Sequence, residues 1–265
     1  MLILLPPSEG KTAPDAGPAL DLGSLWEPDR LTGARRTVMA ELAALSAGSE
    51  AARVLGLGPR SADDAALNLV LEQAPCAPAY ALYTGVLFDA AQMSLLGSSA
   101  DTREVLRHEV IVFSGLWGAV RATDLLPDHR LSMGVSLPDA GRLASFWKPV
   151  LAPVLTKAAD GVVVDCRSGV YSPAWQPGPG AQGQLVRVRV VSRRPDGSHA
   201  VVSHHAKHTR GLLAGALVRA RATSGLPADA DVEDVLALAA QIEGVRDGWL
   251  GEPDSRGRRD LTLVV

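Results

Sequence analysis

Lys207 and Arg210 stand three residues apart in Ala206-Lys207-His208-Thr209-Arg210-Gly211. On a helix that spacing brings both cations to one face, where like charges repel by roughly 0.2–0.5 kcal/mol in water. An anion between them would remove the penalty, so the pair reads as a holder of phosphate or carboxylate; neutralisation by Glu9 or Asp124 is the structural alternative. Other polar residues follow short apolar runs: Ser8 and Lys11 the first, Tyr83 and Thr84 the second, Ser114 the third. Strand carboxyl ends are where α/β sheets collect ligands. Lys11 could hold an anion or, if buried, become a low-pKa amine. Arg130 can grip a phosphate or carboxylate through two parallel hydrogen bonds. Tyr83 and Ser114 can donate hydrogen bonds. Taken singly, strand-end Ser and Thr also serve as helix caps, and Tyr83-Thr84-Gly85 as a turn. Taken as a group, these eight residues point to one cleft for a small anionic ligand, such as a nucleotide.

Stronger catalytic signatures are missing. Ser8-Glu9-Gly10-Lys11-Thr12 lacks the spaced first glycine of a phosphate loop. There is no nucleophile elbow, no HExxH and no dinucleotide fingerprint. His204, His205 and His208 include an i,i+4 pair that could ligate metal from one helix face. The reading nevertheless assigns no metal and no cofactor. Cys76 and Cys166, the two cysteines, fit neither a metal motif nor a disulfide framework, which suits a reducing cytoplasm. No apolar run approaches the roughly 20 residues that span a bilayer, so no membrane partner is expected. Met1–Pro7 is too short for a signal peptide and reads as a first strand.

Two features point instead to duplex DNA. Ala51–Leu55 reads as a helix ending in Gly56-Leu57-Gly58, with Pro59 fit to open the next helix. The glycines permit a sharp turn and a close approach to phosphate, and the amides beyond them can hold a phosphate oxygen. Arg60 adds a charge. An ordinary helix–helix turn uses the same glycine chemistry, and Asp63 and Asp64 would repel DNA. The second feature is charge segregation. Residues 184–221 hold eight Lys/Arg against one acid, Asp196, in a chain of net charge −3. Within them Leu185–Val191 alternates apolar and basic residues, which aims Val186, Val188 and Val190 inward and Arg187 and Arg189 outward. Such a face attracts anions or stays solvated, its charges paired with acids elsewhere.

The elements that must carry these residues alternate along the chain. Leu2–Leu5, Tyr80–Thr84, Val110–Phe113 and Val162–Val164 read as buried strands bounded by turn residues. Leu185–Val191, the turn Pro195-Asp196-Gly197 and Ala200–Ser203 read as a hairpin. Helical patterns cover Arg36–Leu45, Ala51–Leu55, Ala62–Leu71, Leu143–Ala158 and Gly211–Ala222, and Tyr171–Gly183 reads as a Pro/Gly loop. With 265 residues, 47% of them apolar, the chain can bury one large core. The expectation is one α/β domain over residues 1–265: a central mixed sheet flanked by helices, with a small helix-hairpin-helix lobe at about 36–71.

Several segments together resemble the YaaA family of bacterial peroxide-stress proteins. They are Leu2–Thr12, Tyr83-Thr84-Gly85, and Phe113-Ser114-Gly115-Leu116-Trp117-Gly118 continuing through Arg121, Asp124-Leu125, Arg130-Leu131 and Met133-Gly134. Phe146-Trp147 and Ala206–Gly211 complete the set. The turn Pro7–Lys11 is longer than in better-known members, and the tail after Gly211 lacks their usual ending. The resemblance implies a cytoplasmic role against hydrogen peroxide, a link to low intracellular iron, and DNA binding through a helix-hairpin-helix. Whether the chain is an enzyme stays open at this point.

Overall fold

The computed structural model describes residues 1–178, 184–194, 196–201 and 203–265, with the backbone alone at 201, 203 and 204. Strand β1 (Leu2–Leu5) is fully buried and lies between two parallel neighbours, β2 (Val110–Ser114) and β4 (Val163–Asp165). A strand enclosed on both faces has no use for alternation, which is why these three read as continuous apolar runs. Strand β3 (Gly118–Arg121) closes one side antiparallel to β2. On the other side β5 (Leu185–Arg193) runs parallel to β4 and pairs antiparallel with the short return β6 (His199–Val201). The sheet then continues through β8 (Arg259–Val264), parallel to β5, to the edge strand β7 (Asp247–Leu250). Eight strands thus form one mixed sheet. One buried cluster runs from Leu2 to Leu263 and includes Leu42 and Leu55 of the helical lobe.

Helix α1 (Pro28–Ser46) opens on a proline at its first turn and, with α2 (Ala51–Leu55), builds the lobe. Beyond α2 the expected α-helix over Ala62–Leu71 is a 3₁₀ helix, Pro59–Leu69. Its two buried residues, Ala65 and Asn68, explain the winding. At three residues per turn, positions i and i+3 eclipse, so both face the core together. Asn68 then reaches Ser46 Oγ and the Arg130 carbonyl, and accepts the Arg130 amide.

The expected strand Tyr80–Thr84 is also corrected. Ala79–Leu82 forms a short helix, α3, whose first amides donate to the carbonyls of Asp124 and Ala122. Only at Tyr83 does the chain extend, bridging Lys11. An apolar run this short carries no period that separates strand from helix. Helix α4 (Val86–Ala91) follows directly, then α5 (Met93–Ser98) and α6 (Ala100–Glu109).

Helix α7 (Leu143–Ala158) forms at its expected limits despite Pro149 and Pro153 inside it. Both prolines are exposed and four residues apart, so the missing backbone bonds face water. Helix α8 (Ser203–Ala222) begins earlier than the periodic segment Gly211–Ala222, and α9 (Val232–Ala239) carries a reciprocal Asp231/Asp234 cap. Helix α8 crosses α4 on Gly211 and Gly215: a Cβ there would stand 2.2 Å from the Leu87 carbonyl oxygen and 2.5 Å from that of Ala91. No described helix is long and apolar enough to cross a membrane. The end of the loop Tyr171–Gly183, Pro195 in the hairpin turn, Val202 in the return and the His204 side chain lie outside the described residues.

Candidate functional site

The chain leaves β1 as Pro6-Pro7-Ser8-Glu9-Gly10-Lys11 and is stitched to the exit of α3. The Thr12 amide donates to the Leu82 carbonyl and the Thr84 amide to the Gly10 carbonyl. These bonds carry Lys11 inward, where its side chain is only 4% exposed. A cavity of about 10 Å³, room for about one water molecule, lies at its head between Ser8, Glu9, Tyr83, Ser114, His129 and Tyr171. The ammonium stands 5.7 Å from the Tyr83 ring centre and 4.0 Å from Asp128 Oδ1. That same oxygen is 2.7 Å from Arg130 Nη1 and accepts the His129 amide at 2.7 Å. Asp128 therefore serves Arg130 first. Burial, then the Arg130 cation, lowers the Lys11 pKa to about 8, against the pull of Asp128, Glu9 and Asp64.

Around the amine, protons are held in defined places. Burial, then the Lys11 cation, keeps His129 well below its ordinary pKa. The ring is neutral, and the 2.9 Å contact of Nδ1 with the Pro127 carbonyl assigns the proton to Nδ1. Nε2 is then free to accept the Tyr83 hydroxyl across 3.4 Å. Burial raises the Tyr83 and Tyr171 pKa values, so both phenols stay protonated. Ser114, at the end of β2, turns its oxygen to the amides of Leu116 and Trp117. It caps a tight turn between strands rather than a helix. Thr84 acts through its backbone in fixing the Lys11 turn.

A second cavity, about 420 Å³, shares Pro7, Ser8, Glu9 and Tyr171 with the first. Gly85–Phe88 form one wall, Cys166 and Ser168 another, and Lys207 and Arg210 of α8 a third. The glycine crossing of α8 over α4 sets that geometry. Lys207 is exposed, whereas Arg210 donates two hydrogen bonds to the Val188 carbonyl at 3.1 and 2.8 Å. Arg210 also borders a third cavity of about 240 Å³, with Asp165, Arg167, Arg187 and Arg189.

Arg187 and Arg189 follow the paired alternative of the sequence reading. Strand β8 sets Asp260 opposite Arg187, and its carboxylate accepts from Arg187 Nε at 2.8 Å and from Arg189 Nη1 at 3.1 Å. One acid in the tail thus halves the charge of that face. Arg130 is similarly committed, to Asp128 and to Asp64 Oδ2 at 3.1 Å.

The hairpin lies across a broad groove of about 990 Å³ from the mouth of the cleft. Arg53, Leu55, Gly56, Leu57 and Ser61 line one side, Glu9, Gly10, Arg130 and Ser132 the other. Gly56 adopts φ 69°, the left-handed region that closes α2 and favours glycine. Gly58 precedes the 3₁₀ helix, and Arg60 at its start is exposed.

Comparison with known proteins adds a family. A family model described as "Peroxide stress protein YaaA" matches residues 1–234. The chain belongs to the YaaA family. A UPF0246 protein of Streptomyces coelicolor is 41% identical over all of this chain and 98% of its own length. UPF0246 proteins of Corynebacterium efficiens and Corynebacterium glutamicum are 41% and 36% identical, each over the full length of both chains. The segments that carried the resemblance from Leu2 to Gly211 fall inside the matched span.

The structure of this YaaA-family chain also adds residues that sequence reasoning missed. Arg167 and Asp165 form a fully buried pair, with Nη2 to Oδ2 at 2.7 Å and Nε to Oδ1 at 2.8 Å. Asp165 ends β4, so the rule that singled out Ser8 and Ser114 reaches it too. Asp128 and His129 flank the selected Arg130, but nothing in their spacing announces Lys11 as their neighbour. Among the described residues, no group of three or more His, Cys, Asp or Glu is arranged to hold a metal ion.

Proposed function

We propose that this YaaA-family protein acts in the cytoplasm during peroxide stress by binding a small anionic ligand, a nucleotide or a similar phosphate, in the cleft around Lys11. The observation that carries this reading is the buried Lys11 amine on a small cavity that shares Pro7, Ser8, Glu9 and Tyr171 with a larger one, whose wall bears Lys207 and Arg210. A protein gains nothing in stability from burying an amine without a close carboxylate, so the site is better understood as functional. Ser8 supplies a hydroxyl to the ligand, and Lys207 and Arg210 supply charge. Titration calorimetry with adenosine monophosphate and ribose 5-phosphate tests this. Binding should weaken by about tenfold, or about 1.4 kcal/mol, in Lys207→Ala. No heat with either compound at millimolar concentration would reject the cleft as an anion site.

A second reading, duplex DNA held by the hairpin, is supported by the groove that joins Gly56 and Leu57 to the cleft mouth at Glu9 and Arg130. Amides beyond Gly58 and the Arg60 side chain would contact phosphates without reading sequence. In that role the protein would limit oxidative DNA damage, alongside the lowering of intracellular iron. Mobility shifts at low salt should reveal weak, sequence-independent binding that falls steeply with added salt. Arg60→Glu should weaken it on every sequence tried. No shift at micromolar protein would leave Gly56–Gly58 as a structural turn.

A further inference from the structure

The chain has four lysines. Lys148, Lys157 and Lys207 are exposed, whereas the Lys11 side chain is 4% exposed. A buried ammonium is ordinarily held by a hydrogen-bonded carboxylate. Here the facing carboxylate, Asp128, is 4.0 Å away and already taken by Arg130 at 2.7 Å. The amine therefore gains little from staying charged, and its pKa of about 8 leaves a substantial neutral fraction near neutrality. A neutral, desolvated lysine amine is a nucleophile toward carbonyl carbon.

The cavities restrict which carbonyl can reach it. The space at the head of Lys11 is about 10 Å³, room for a group the size of one water molecule. A terminal aldehyde, with hydrogen as its second substituent, suits that space better than a ketone. The body of the compound would lie in the adjoining cavity of about 420 Å³, which shares Ser8, Glu9 and Tyr171 with the first. Its wall carries Lys207 and Arg210, so the body should be anionic.

We propose that Lys11 is a covalent catalytic residue that forms an imine with the aldehyde of a small phosphorylated compound held in the cleft. This deepens the anion-binding reading and rests on it. The Nζ lone pair bonds to the carbonyl carbon, and the carbonyl π pair moves to oxygen. The two amine hydrogens leave with that oxygen as one water molecule, and a C=N bond remains. No oxidation or reduction is involved. Ser8 lines the same small space, where its hydroxyl can hydrogen-bond the carbonyl oxygen.

The experiment is reductive trapping of the full chain with D-glyceraldehyde 3-phosphate and cyanoborohydride near pH 7.5, followed by peptide mapping. Hydride delivered to the imine carbon, with a proton to nitrogen, fixes the adduct as a secondary amine. Lys11 should be labelled at least about tenfold more than Lys148, Lys157 or Lys207, since lowering its pKa from the ordinary 10.5 to about 8 raises its own neutral fraction on the order of 100-fold. Unphosphorylated glyceraldehyde should label Lys11 far less at equal concentration. Glycerol 3-phosphate, which has no carbonyl, should bind the untreated protein and protect Lys11 from the aldehyde. If glycerol 3-phosphate binds while adducts fall only on the exposed lysines, the imine proposal is overturned and the anion site stands. If neither phosphate compound binds and Lys11 stays unlabelled, both fall.

Discussion

Lys11 and Arg130 compete for one oxygen of Asp128, and Arg130 wins, at 2.7 Å against 4.0 Å. The loser is the more deeply buried cation, with a side chain 4% exposed against 15% for Arg130. Charge satisfaction at the cleft is therefore incomplete by design of the backbone: the Asn68 clamp fixes Arg130 beside Asp128, and the Tyr83 bridge fixes Lys11 just out of reach.

That arrangement should cost stability in a pH-dependent way. The folded Lys11 pKa is about 8 against an ordinary value of 10.5, so between them the unfolded chain binds more protons. Stability should then rise with pH across that window, while below pH 8 the full penalty, about 3 kcal/mol, is present. Lys11→Met is expected to be more stable than wild type at pH 7, the gap narrowing as pH climbs from 8 to 10.5. Urea denaturation at several pH values measures it. A variant weaker than wild type at pH 7 would mean that the contacts of the amine outweigh its burial.

Asp165→Asn should do the opposite. It leaves the Arg167 guanidinium buried against Phe113 and Trp175 with no counter-charge. Breaking such a pair by removing one partner typically costs about 3–5 kcal/mol. Thermal or denaturant unfolding reads the loss directly, and a change below 1 kcal/mol (about the worth of an exposed pair) would mean the neighbouring carbonyls of Trp175 and Tyr171 suffice.

Gly211→Ala tests the helix crossing. The new Cβ would meet the Leu87 carbonyl oxygen at 2.2 Å, so α8 and α4 must separate. The expected destabilisation is about 1–3 kcal/mol. Because Lys207 and Arg210 ride on α8, anion binding in the cleft should weaken as well, which calorimetry on the folded variant would detect.

Asp260→Asn should release the charge of the β5 face. Arg187 and Arg189 would then stand without their shared carboxylate. If duplex DNA reaches this face, binding at low salt should tighten and the salt slope steepen by about one counterion. Unchanged affinity and slope in mobility shifts would remove Arg187 and Arg189 from any DNA contact.

Much of the scaffold was legible before any coordinates. Leu2–Leu5 and Leu143–Ala158 form at the limits read from their apolar patterns, because a twice-buried strand is a continuous apolar run bounded by turn residues and a long amphipathic helix leaves a periodic mark. Val110–Phe113 extends by one residue to take in Ser114, and Val162–Val164 shifts to Val163–Asp165. The failures were short segments. Tyr80–Thr84 divides between a helical turn and an extended residue, and Pro59–Leu69 winds as 3₁₀, because tertiary partners rather than local preference decide runs of that kind.

The sequence by itself determined the family, the α/β class and the placing of Ser8 and Ser114 near the ends of β1 and β2, since each follows from apolar runs, turn residues and motif order along one chain. Only the tertiary structure decided how their charges are spent. It pairs Asp260 with Arg187 and Arg189 by setting β8 beside β5, gives Asp128 to Arg130, and leaves Lys11 buried beyond hydrogen-bonding reach of a carboxylate. Ion pairing depends on distances of a few ångströms between residues far apart in the chain, 73 positions for Arg187 and Asp260, and burial depends on what packs above. Neither quantity is written in local spacing.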